Sequence, residues 1–124
     1  MYYYGYTNEK TDKVYFKNTL KYFDYISPLQ TIYDSHVSFN GRAYVAEKLE
    51  YKESVKNDVV VRAVLISYNT IVCEWNIKDG FKRYWDEYSA TTMRHVREFC
   101  RQFCGYGSYG KKWWDDQYVY KWEG

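Results

Sequence analysis

The sequence predicts an α+β domain in which an antiparallel sheet of about five strands carries one main amphipathic helix packed on a face and a short N-terminal helix at an edge. Three observations lead to this prediction. Short apolar segments alternate with polar turns, two turns contain the Asn-Gly or Asp-Gly pairs typical of hairpins, and one later segment has helical periodicity. The chain has 124 residues, a length typical of one domain, so we expect a single domain over residues 1–124.

The first predicted elements are a strand at Lys13–Lys17 and a short helix in the segment NTLKYFDYISP. Asn18 can cap this helix because its side chain accepts a hydrogen bond from a free backbone N–H, and Pro28 stops it. The apolar residues of its one helical face are Leu20, Phe23 and Ile26.

The next segments have the composition of strands. VSFNGRAYV contains Asn40-Gly41, the strongest short hairpin signal because both residues tolerate positive φ, and the strand GRAYVAEKLEY continues from it to the turn KESVKND. Val59–Ser67 is the most apolar segment and is predicted to be the central strand. Asp79-Gly80 is predicted to form a second hairpin turn that leads into FKRYW.

Alternation of apolar and polar residues assigns faces to two further segments. In TIVCEWNI, one face is predicted to carry Ile71, Cys73, Trp75 and Ile77, and the other Val72, Glu74 and Asn76. In the C-terminal segment YVYKW, the residues on one side are Tyr118, Tyr120 and Trp122.

The main helix is predicted from about Ala90 to Cys104. Ser89 or Thr91 can accept hydrogen bonds from the first free backbone N–H groups, and Gly105 stands where a left-handed C-terminal cap is expected. The apolar residues form one stripe that should face the sheet: Met93, Val96, Phe99, Cys100 and Phe103.

A second stripe of this helix carries Arg94, Arg97 and Arg101. It can be an ordinary solvated face, in which Glu98 pairs with Arg94 or Arg101. It can equally be an edge that binds an anion or a protein partner, because the guanidinium group suits phosphate and carboxylate.

The glycine-rich segment GYGSYGKKWW follows the helix. Interleaved cations and aromatic rings are what stacking on a base and pairing with a phosphate require, and they are equally typical of a protein–protein hot spot. The predicted partner- or anion-binding residues are therefore the three arginines together with Tyr106, Tyr109, Lys111, Lys112, Trp113 and Trp114.

The overall composition limits the function classes. The chain has 18 basic and 16 acidic residues and a net charge of +2, which argues against a general polyanion binder. Its 17 tyrosines suit half-exposed sheet faces and contact surfaces. No apolar run is long enough to cross a membrane and the first residues, MYYYGYTNEK, lack the features of a signal peptide, so we expect no membrane association and a cytosolic location.

No motif in the sequence supports catalysis. A P-loop, a dinucleotide fingerprint, GxSxG and HExxH are all missing from it, so we expect no enzyme activity, no catalytic residue and no cofactor. We expect the three cysteines to be reduced and to hold no metal, because no CxxC pair occurs and Cys100 falls on the core stripe of the helix.

The segments SYNTIV and YSATTMRHVREF together resemble a pattern of small bacteriophage proteins, S-Y-x-T followed after a hairpin by Y-S-x-T-T-x-x-H and a helix ending in Phe. The matching residues are Ser67, Tyr68, Thr70, Tyr88, Ser89, Thr91, Thr92, His95 and Phe99. The resemblance implies a phage accessory protein in the cytoplasm of an infected bacterium, and phage proteins of this kind are often inhibitors of host defences, such as anti-CRISPR proteins.

The same motif residues also have a structural interpretation. Ser89, Thr91 and Thr92 would serve capping, Tyr68 and Tyr88 would brace the strand ends against the helix, and His95 would hydrogen-bond to a strand carbonyl.

Two functions are consistent with these observations. The first is a non-enzymatic inhibitor that binds a host defence protein, for example a CRISPR effector, through the arginine stripe and the aromatic tail. The second is a small nucleotide- or nucleic-acid-binding protein, a signal sponge or a single-strand binder. In that function Arg94, Arg97, Arg101, Lys111 and Lys112 would hold phosphates, while Trp113 or Tyr109 would stack on a base. A structural phage component is a third alternative.

Overall fold

A computed structural model describes residues 20–123, which form a five-stranded antiparallel sheet and two helices. The elements in chain order are β1 (Tyr25–Pro28), β2 (Ala43–Lys52), β3 (Asn57–Ser67), β4 (Thr70–Asn76), β5 (Gly80–Arg83), α1 (Ala90–Phe103) and α2 (Lys111–Asp115). Each strand lies beside its neighbour in sequence, so the sheet is a meander with β3 at its centre. The predicted α+β class, the number of strands and the central position of Val59–Ser67 are confirmed.

The N-terminal part of the sequence prediction needs correction. The predicted strand Lys13–Lys17 and the Asn18 cap lie outside the described residues. Within them, the predicted helix is wrong, because residues 20–22 form a turn and Tyr25–Pro28 pairs antiparallel with β2. Edge strands tolerate Pro28, which would break a helix, and pairing along β2 satisfies more backbone groups than a single helical turn could.

The Asn40-Gly41 turn forms, but it does not join two paired strands. Asn40 and Gly41 have φ angles of 54° and 71°, and the N–H of Arg42 donates to the carbonyl of Phe39 at 3.0 Å. The residues that precede this turn belong to no strand, and β1 is connected to β2 by residues 29–42. The predicted hairpin is therefore wrong, because this connection leaves the sheet and packs along α1 instead.

The hairpin at Asp79-Gly80 is confirmed, since Asn76 pairs with Gly80 across it and Gly80 has a φ of 77°. The face assignment of β4 is only partly correct. Leu65 pairs with Cys73 but Ile66 pairs with Ile71, so Val72 is an extra residue that bulges from the ladder.

Because of this bulge, the side chains of Val72 and Cys73 lie on the same face of the sheet, and the regular alternation along β4 is interrupted. Cys73 packs in the cluster under α1, and Trp75 packs against that cluster, as predicted. Val72 joins the same cluster, whereas Ile71 packs on the opposite face of the sheet. Ile77 follows the end of the strand and is 59% exposed.

Helix α1 matches its prediction. Ser89 is the N-cap and its hydroxyl accepts a hydrogen bond from the N–H of Thr92 at 3.0 Å. Gly105 follows the C-cap with a φ of 98°, in the left-handed region that favours glycine. The residues of the apolar stripe that are buried against the sheet are Met93, Val96, Phe99 and Cys100, with Phe103 partly buried beside them.

The opposite face of the sheet carries a smaller cluster. Its buried members are Leu20, Phe23, Ala46, Val64, Ile66 and Ile71. The C-terminal segment YVYKW reaches this side but is not the strand that alternation suggested: Val119 forms a single bridge with Arg83, and the Trp122 ring packs edge-on against Tyr84 at 5.2 Å. Tyr118 and Tyr120 lie against each other at 4.7 Å and remain exposed.

Candidate binding surface

The connection between β1 and β2 covers the side of α1 that carries Glu98 and Arg94. The buried carboxylate of Glu98 accepts hydrogen bonds from the backbone N–H groups of Ile32, Tyr33 and Asp34 at 3.0, 3.0 and 2.7 Å. The amide of Gln102 donates to the same carboxylate at 2.6 Å and to the carbonyl of Gln30 at 2.8 Å. These donors compensate the burial of a charged group that is only 2% exposed. The prediction that Glu98 pairs with Arg94 or Arg101 is therefore wrong.

Arg94 is held by the same connection. Its Nε and Nη2 donate to the two carboxylate oxygens of Asp34 at 3.1 and 3.2 Å, and Nη2 lies 2.8 Å from Nδ1 of His36. Burial opposes ionisation of Asp34, but hydrogen bonds from Arg94 and His36 more than offset it and lower the pKa of Asp34 below its ordinary value. Arg94 is thus neutralised by a partner that is distant in the sequence.

Arg97 and Arg101 face the glycine-rich segment on the other side of α1. Nη1 of Arg97 lies 3.5 Å from the carbonyl of Tyr109, at the limit of a hydrogen bond. Nε of Arg101 is buried and has no hydrogen-bond partner among residues 20–123. Neither guanidinium group forms an ion pair with any residue between 20 and 123. Their positive charges are therefore not neutralised by this part of the protein.

Exposed aromatic and aliphatic side chains lie on the two segments that flank α1. The rings of Tyr33 and Tyr106 meet edge-on at 5.7 Å and link the two segments that flank α1. Tyr106 is 81% exposed and Ile32 64% exposed. We call the surface formed by Arg97, Arg101, Ile32, Tyr33 and Tyr106 the Arg97–Arg101 surface.

The two tryptophan side chains of the predicted site are less exposed to solvent than the sequence suggested. Trp114 is fully buried, donates its indole N–H to the carbonyl of Glu87 at 2.8 Å and stacks on the guanidinium group of Arg83. Trp113 is partly buried between the rings of Phe81 and Tyr109, each at 4.9 Å. The structure thus places Trp114 in the core, where it anchors α2 and cannot contact a partner.

The two lysines of the predicted site lie on α2 and are both paired. Nζ of Lys111 lies 2.7 Å from Asp115, and Nζ of Lys112 lies 3.5 Å from Asp116. Lys111 also lies over the ring of Tyr88 at 5.1 Å. These exposed pairs contribute little stability, but they balance the charge of α2 locally.

The residues of the S-Y-x-T and T-T-x-x-H motif meet where β3 and α1 come together. Nδ1 of His95 lies 2.8 Å from the hydroxyl of Ser67, which is also 3.2 Å from the hydroxyl of Thr92. The predicted hydrogen bond from His95 to a strand thus forms to a hydroxyl and not to a carbonyl. The imidazole is almost fully buried, and this burial lowers the pKa of His95 to about 4. Ser67 is 1% exposed, so its hydroxyl is not accessible as a nucleophile and the pair is structural.

Beside this motif is a pocket of about 210 Å³. It is lined by residues of the β1–β2 connection, of the turn between β3 and β4, and of α1, among them His36, Arg42, Tyr68, Thr91, Arg94 and His95. The sequence interpretation missed His36 and Arg42, and the only signal near them was the Asn-Gly pair that precedes Arg42.

The three cysteines are free. Burial raises the pKa of the Cys73 and Cys100 thiols above the ordinary value, whereas a hydrogen bond with Cys100 lowers the pKa of Cys104. Among the residues that the structure describes, no group of three His, Cys, Asp or Glu side chains could hold a metal ion. No helix in residues 20–123 is long and apolar enough to cross a membrane.

Comparison with known proteins gives one match. Neither a curated protein nor a solved structure matches the chain. The model of a family of unknown function, DUF8033, matches residues 27–116, a segment that extends from β1 to the end of α2 and includes the Arg97–Arg101 surface and the pocket. Because this match covers more than half of the 124 residues, the chain belongs to the DUF8033 family.

Proposed function

We propose that this protein is a non-enzymatic binding protein that docks on an acidic surface of a protein partner through the Arg97–Arg101 surface. The observation that carries the proposal is that some basic side chains of the predicted site are paired with a carboxylate and others are not. Arg94, Lys111 and Lys112 each have a carboxylate partner within the fold. Arg97 and Arg101 have none in the described chain, and Arg101 also keeps a buried N–H without an acceptor. Carboxylates supplied by a partner would neutralise the two guanidinium groups, although the buried Nε of Arg101 is itself out of a partner's reach.

The apolar residues beside the arginines support a protein partner. Interface hot spots are enriched in tyrosine and arginine, and they combine apolar contact area with a few charged groups. Tyr106 and Ile32, on the two segments that flank α1, expose most of their side chains. Tyr33 connects them, since its ring contacts Tyr106 and its backbone is bound by Glu98.

Contacts within the fold hold part of this surface in place before binding. Helix α1 packs on the sheet through its apolar stripe, and Glu98 fixes three consecutive backbone N–H groups of the neighbouring connection. A surface that is already ordered loses less conformational entropy when a partner binds.

A single-stranded nucleic acid is a poorer fit for this surface. Such ligands require a continuous basic groove that follows the backbone, with exposed rings for stacking. Lys111 and Lys112 would extend the groove beyond the arginines, but Asp115 and Asp116 neutralise them. Trp113, a candidate stacking residue, is partly buried between the rings of Phe81 and Tyr109. The basic track is therefore interrupted next to Arg101.

The resemblance to bacteriophage proteins suggests which partner to test. In this proposal the protein is an inhibitor that acts in the cytoplasm of an infected bacterium, and the partner is a host defence protein, with a CRISPR effector as one candidate. The arginines and exposed tyrosines would cover an acidic contact site of that protein.

The experiment compares two charge-reversed variants with equal change in net charge. Arg97→Glu/Arg101→Glu alters the proposed surface, and Lys111→Glu/Lys112→Glu alters the neighbouring helix. Wild type and both variants are used to capture proteins from a nuclease-treated bacterial lysate, and the affinity of the captured partner is then measured with purified components. We expect the arginine variant to bind at least about tenfold more weakly, because repulsion adds to the lost pairing, and the lysine variant to bind like the wild type.

Two results would contradict the proposal. One is unchanged affinity of a folded Arg97→Glu/Arg101→Glu protein for its partner. The other is capture of nucleic acid in the absence of nuclease, with an affinity that falls steeply with salt concentration, since that behaviour indicates phosphate contacts.

A further inference from the structure

We infer that the pocket between the β3–β4 turn and α1 is a binding site for a phosphate monoester carried on a small ring-containing ligand. The pocket is separate from the proposed partner surface, because Arg97 and Arg101 do not line it. The inference depends on the charges of the lining residues, on the size of the pocket and on the backbone conformation of Tyr68.

The first argument is the set of donors that line the pocket. Arg42 contributes a guanidinium group that is exposed and forms no ion pair within residues 20–123. Arg94 lies on the opposite element, and its pairing with Asp34 occupies Nε and Nη2, which leaves Nη1 available. The hydroxyl of Thr91 adds a neutral donor from the first turn of α1. Two guanidinium groups and a hydroxyl, on two elements that face each other across the pocket, suit a phosphate with its several oxygens better than a single carboxylate.

The second argument is the conformation of Tyr68. The β3–β4 hairpin turns through Tyr68 and Asn69, which have φ angles of 49° and 65°. Asparagine tolerates this left-handed region, but for a bulky side chain such as tyrosine it is unfavourable. The N–H of Tyr68 donates to the carbonyl of Arg42 at 2.9 Å, so the strained turn is tied to the element that supplies the cation.

A residue held in an unfavourable conformation indicates a role for its side chain. The fold alone does not need tyrosine here, because the Tyr68 ring is 48% exposed. It lies 5.6 Å from the His95 ring, which forms a wall of the pocket together with Phe39. An aromatic ring at this position provides a face on which the ring of a ligand can stack.

The third argument is size. A volume of about 210 Å³ is below the usual range for sites that enclose a whole drug-sized ligand. It suits a phosphate group and an adjoining ring, with the rest of a larger molecule outside the pocket. Inorganic phosphate and the phosphate of a ring-bearing ester would share the cationic end, and only the ester would use the Tyr68 ring.

The test measures binding of four probes to the intact protein by calorimetry at millimolar concentrations. The probes are phenyl phosphate, inorganic phosphate, benzoate and adenosine 5′-monophosphate. We expect phenyl phosphate to bind more tightly than inorganic phosphate, and both to bind more tightly than benzoate. Tighter binding of adenosine 5′-monophosphate than of phenyl phosphate would also support the site and would identify nucleotides as its ligands.

Three variants assign the binding to this pocket. Arg42→Gln should weaken phenyl phosphate binding at least about tenfold with no change in melting temperature, because Arg42 is exposed and has no ion-pair partner in the part of the chain that the structure describes. Tyr68→Asn should abolish the preference for phenyl phosphate over inorganic phosphate without lowering the melting temperature, because asparagine is compatible with the left-handed turn. Arg97→Gln, outside the pocket, should bind all probes like the wild type.

The inference would be overturned if the wild-type protein bound none of the probes, or if Arg42→Gln bound phenyl phosphate as tightly as the wild type. A Tyr68→Asn protein that is destabilised and still prefers phenyl phosphate would show that Tyr68 serves packing only. These results do not depend on the partner experiment, since that experiment alters Arg97 and Arg101 and leaves Arg42 and Tyr68 unchanged.

Discussion

The carboxylate of Glu98 accepts a hydrogen bond at 2.7 Å from the backbone N–H of Asp34, a residue 64 positions earlier in the sequence. The side chain of Asp34 in turn binds Arg94, one turn of α1 before Glu98. Two carboxylates thus join α1 to the β1–β2 connection. Glu98 of the helix accepts from backbone N–H groups of the connection, and Asp34 of the connection binds the guanidinium group of Arg94. This double attachment defines one edge of the Arg97–Arg101 surface and positions Arg94 in the pocket.

Replacing Glu98 with Ala should lower the free energy of unfolding by about 2–3 kcal/mol, because it removes the acceptor shared by three backbone N–H groups. Denaturant unfolding measures the loss, and hydrogen exchange should show faster exchange at residues 32–34. Glu50→Ala, at an exposed position of β2, is the matched control and should change stability by less than about 0.5 kcal/mol. Equal effects of the two changes would contradict the role of Glu98.

Phe99→Ala should cost about 3–5 kcal/mol of stability, because the ring is fully buried under α1 and its removal leaves a cavity. Denaturant melts of the variant and the wild type give the difference. A loss below about 1 kcal/mol would mean that the apolar stripe of α1 does not pack on the sheet as described.

Charge reversal should affect stability differently along the arginine stripe. Arg94→Glu loses its pairing with Asp34 and places two carboxylates together, so we expect a loss of about 1 kcal/mol. Arg97→Glu should change stability by less than about 0.5 kcal/mol, because Arg97 has no acidic partner in the described fold. Thermal melts at low salt test the contrast, and a larger loss for Arg97→Glu than for Arg94→Glu would refute it.

His95 should make stability depend on pH between its ordinary pKa of 6.5 and its lowered value of about 4. In this range the unfolded chain binds a proton that the folded protein excludes, so stability is fully present above pH 6.5 and falls as the pH decreases toward 4. The loss attributable to His95 can reach about 3 kcal/mol. Unfolding of wild type and His95→Gln is compared across this range, and an equal pH dependence of both proteins would exclude His95 as the cause.

Cys104 should react with thiol reagents in the folded protein much faster than Cys73 or Cys100. It is only partly buried and its pKa is lowered by the hydrogen bond with Cys100, whereas burial raises the pKa of the other two thiols. Titration with a chromogenic disulfide should therefore show one fast thiol in the native state and all three cysteines after denaturation. Elemental analysis of the same sample should find no stoichiometric zinc, and its presence would overturn the prediction.

The parts of the fold that were predictable are those set by local patterns. The boundaries of α1 follow from Ser89, Gly105 and the apolar spacing between them, and the Asp79-Gly80 hairpin follows from its turn residues. The helix predicted before Pro28 did not form because the local pattern of this short segment is compatible with a strand as well as with a helix. Pairing with β2 decided the outcome. The bulge at Val72 in β4 could not be predicted, because the residues around it are all typical of a regular strand and none of them marks an irregular position.

The candidate site was predictable only in part. The arginine stripe could be identified from its spacing, but the partners of its members could not. The donors that bind Glu98 are backbone N–H groups, which every residue except proline has, so no residue type marks them. The burial of Trp114 depends on the path of the glycine-rich segment back to the sheet, and the pocket requires the turn at Asn40-Gly41 to meet the turn at Tyr68.

The attachment of the β1–β2 connection to α1 has a consequence for the order of folding. Its hydrogen bonds to Glu98 join residues separated by 64 to 66 positions, and closing so long a loop costs chain entropy before the contacts form. The meander of neighbouring strands and the helix can assemble through contacts closer in sequence. The connection should therefore close after the rate-limiting step, so that Glu98→Ala accelerates unfolding and leaves the refolding rate almost unchanged.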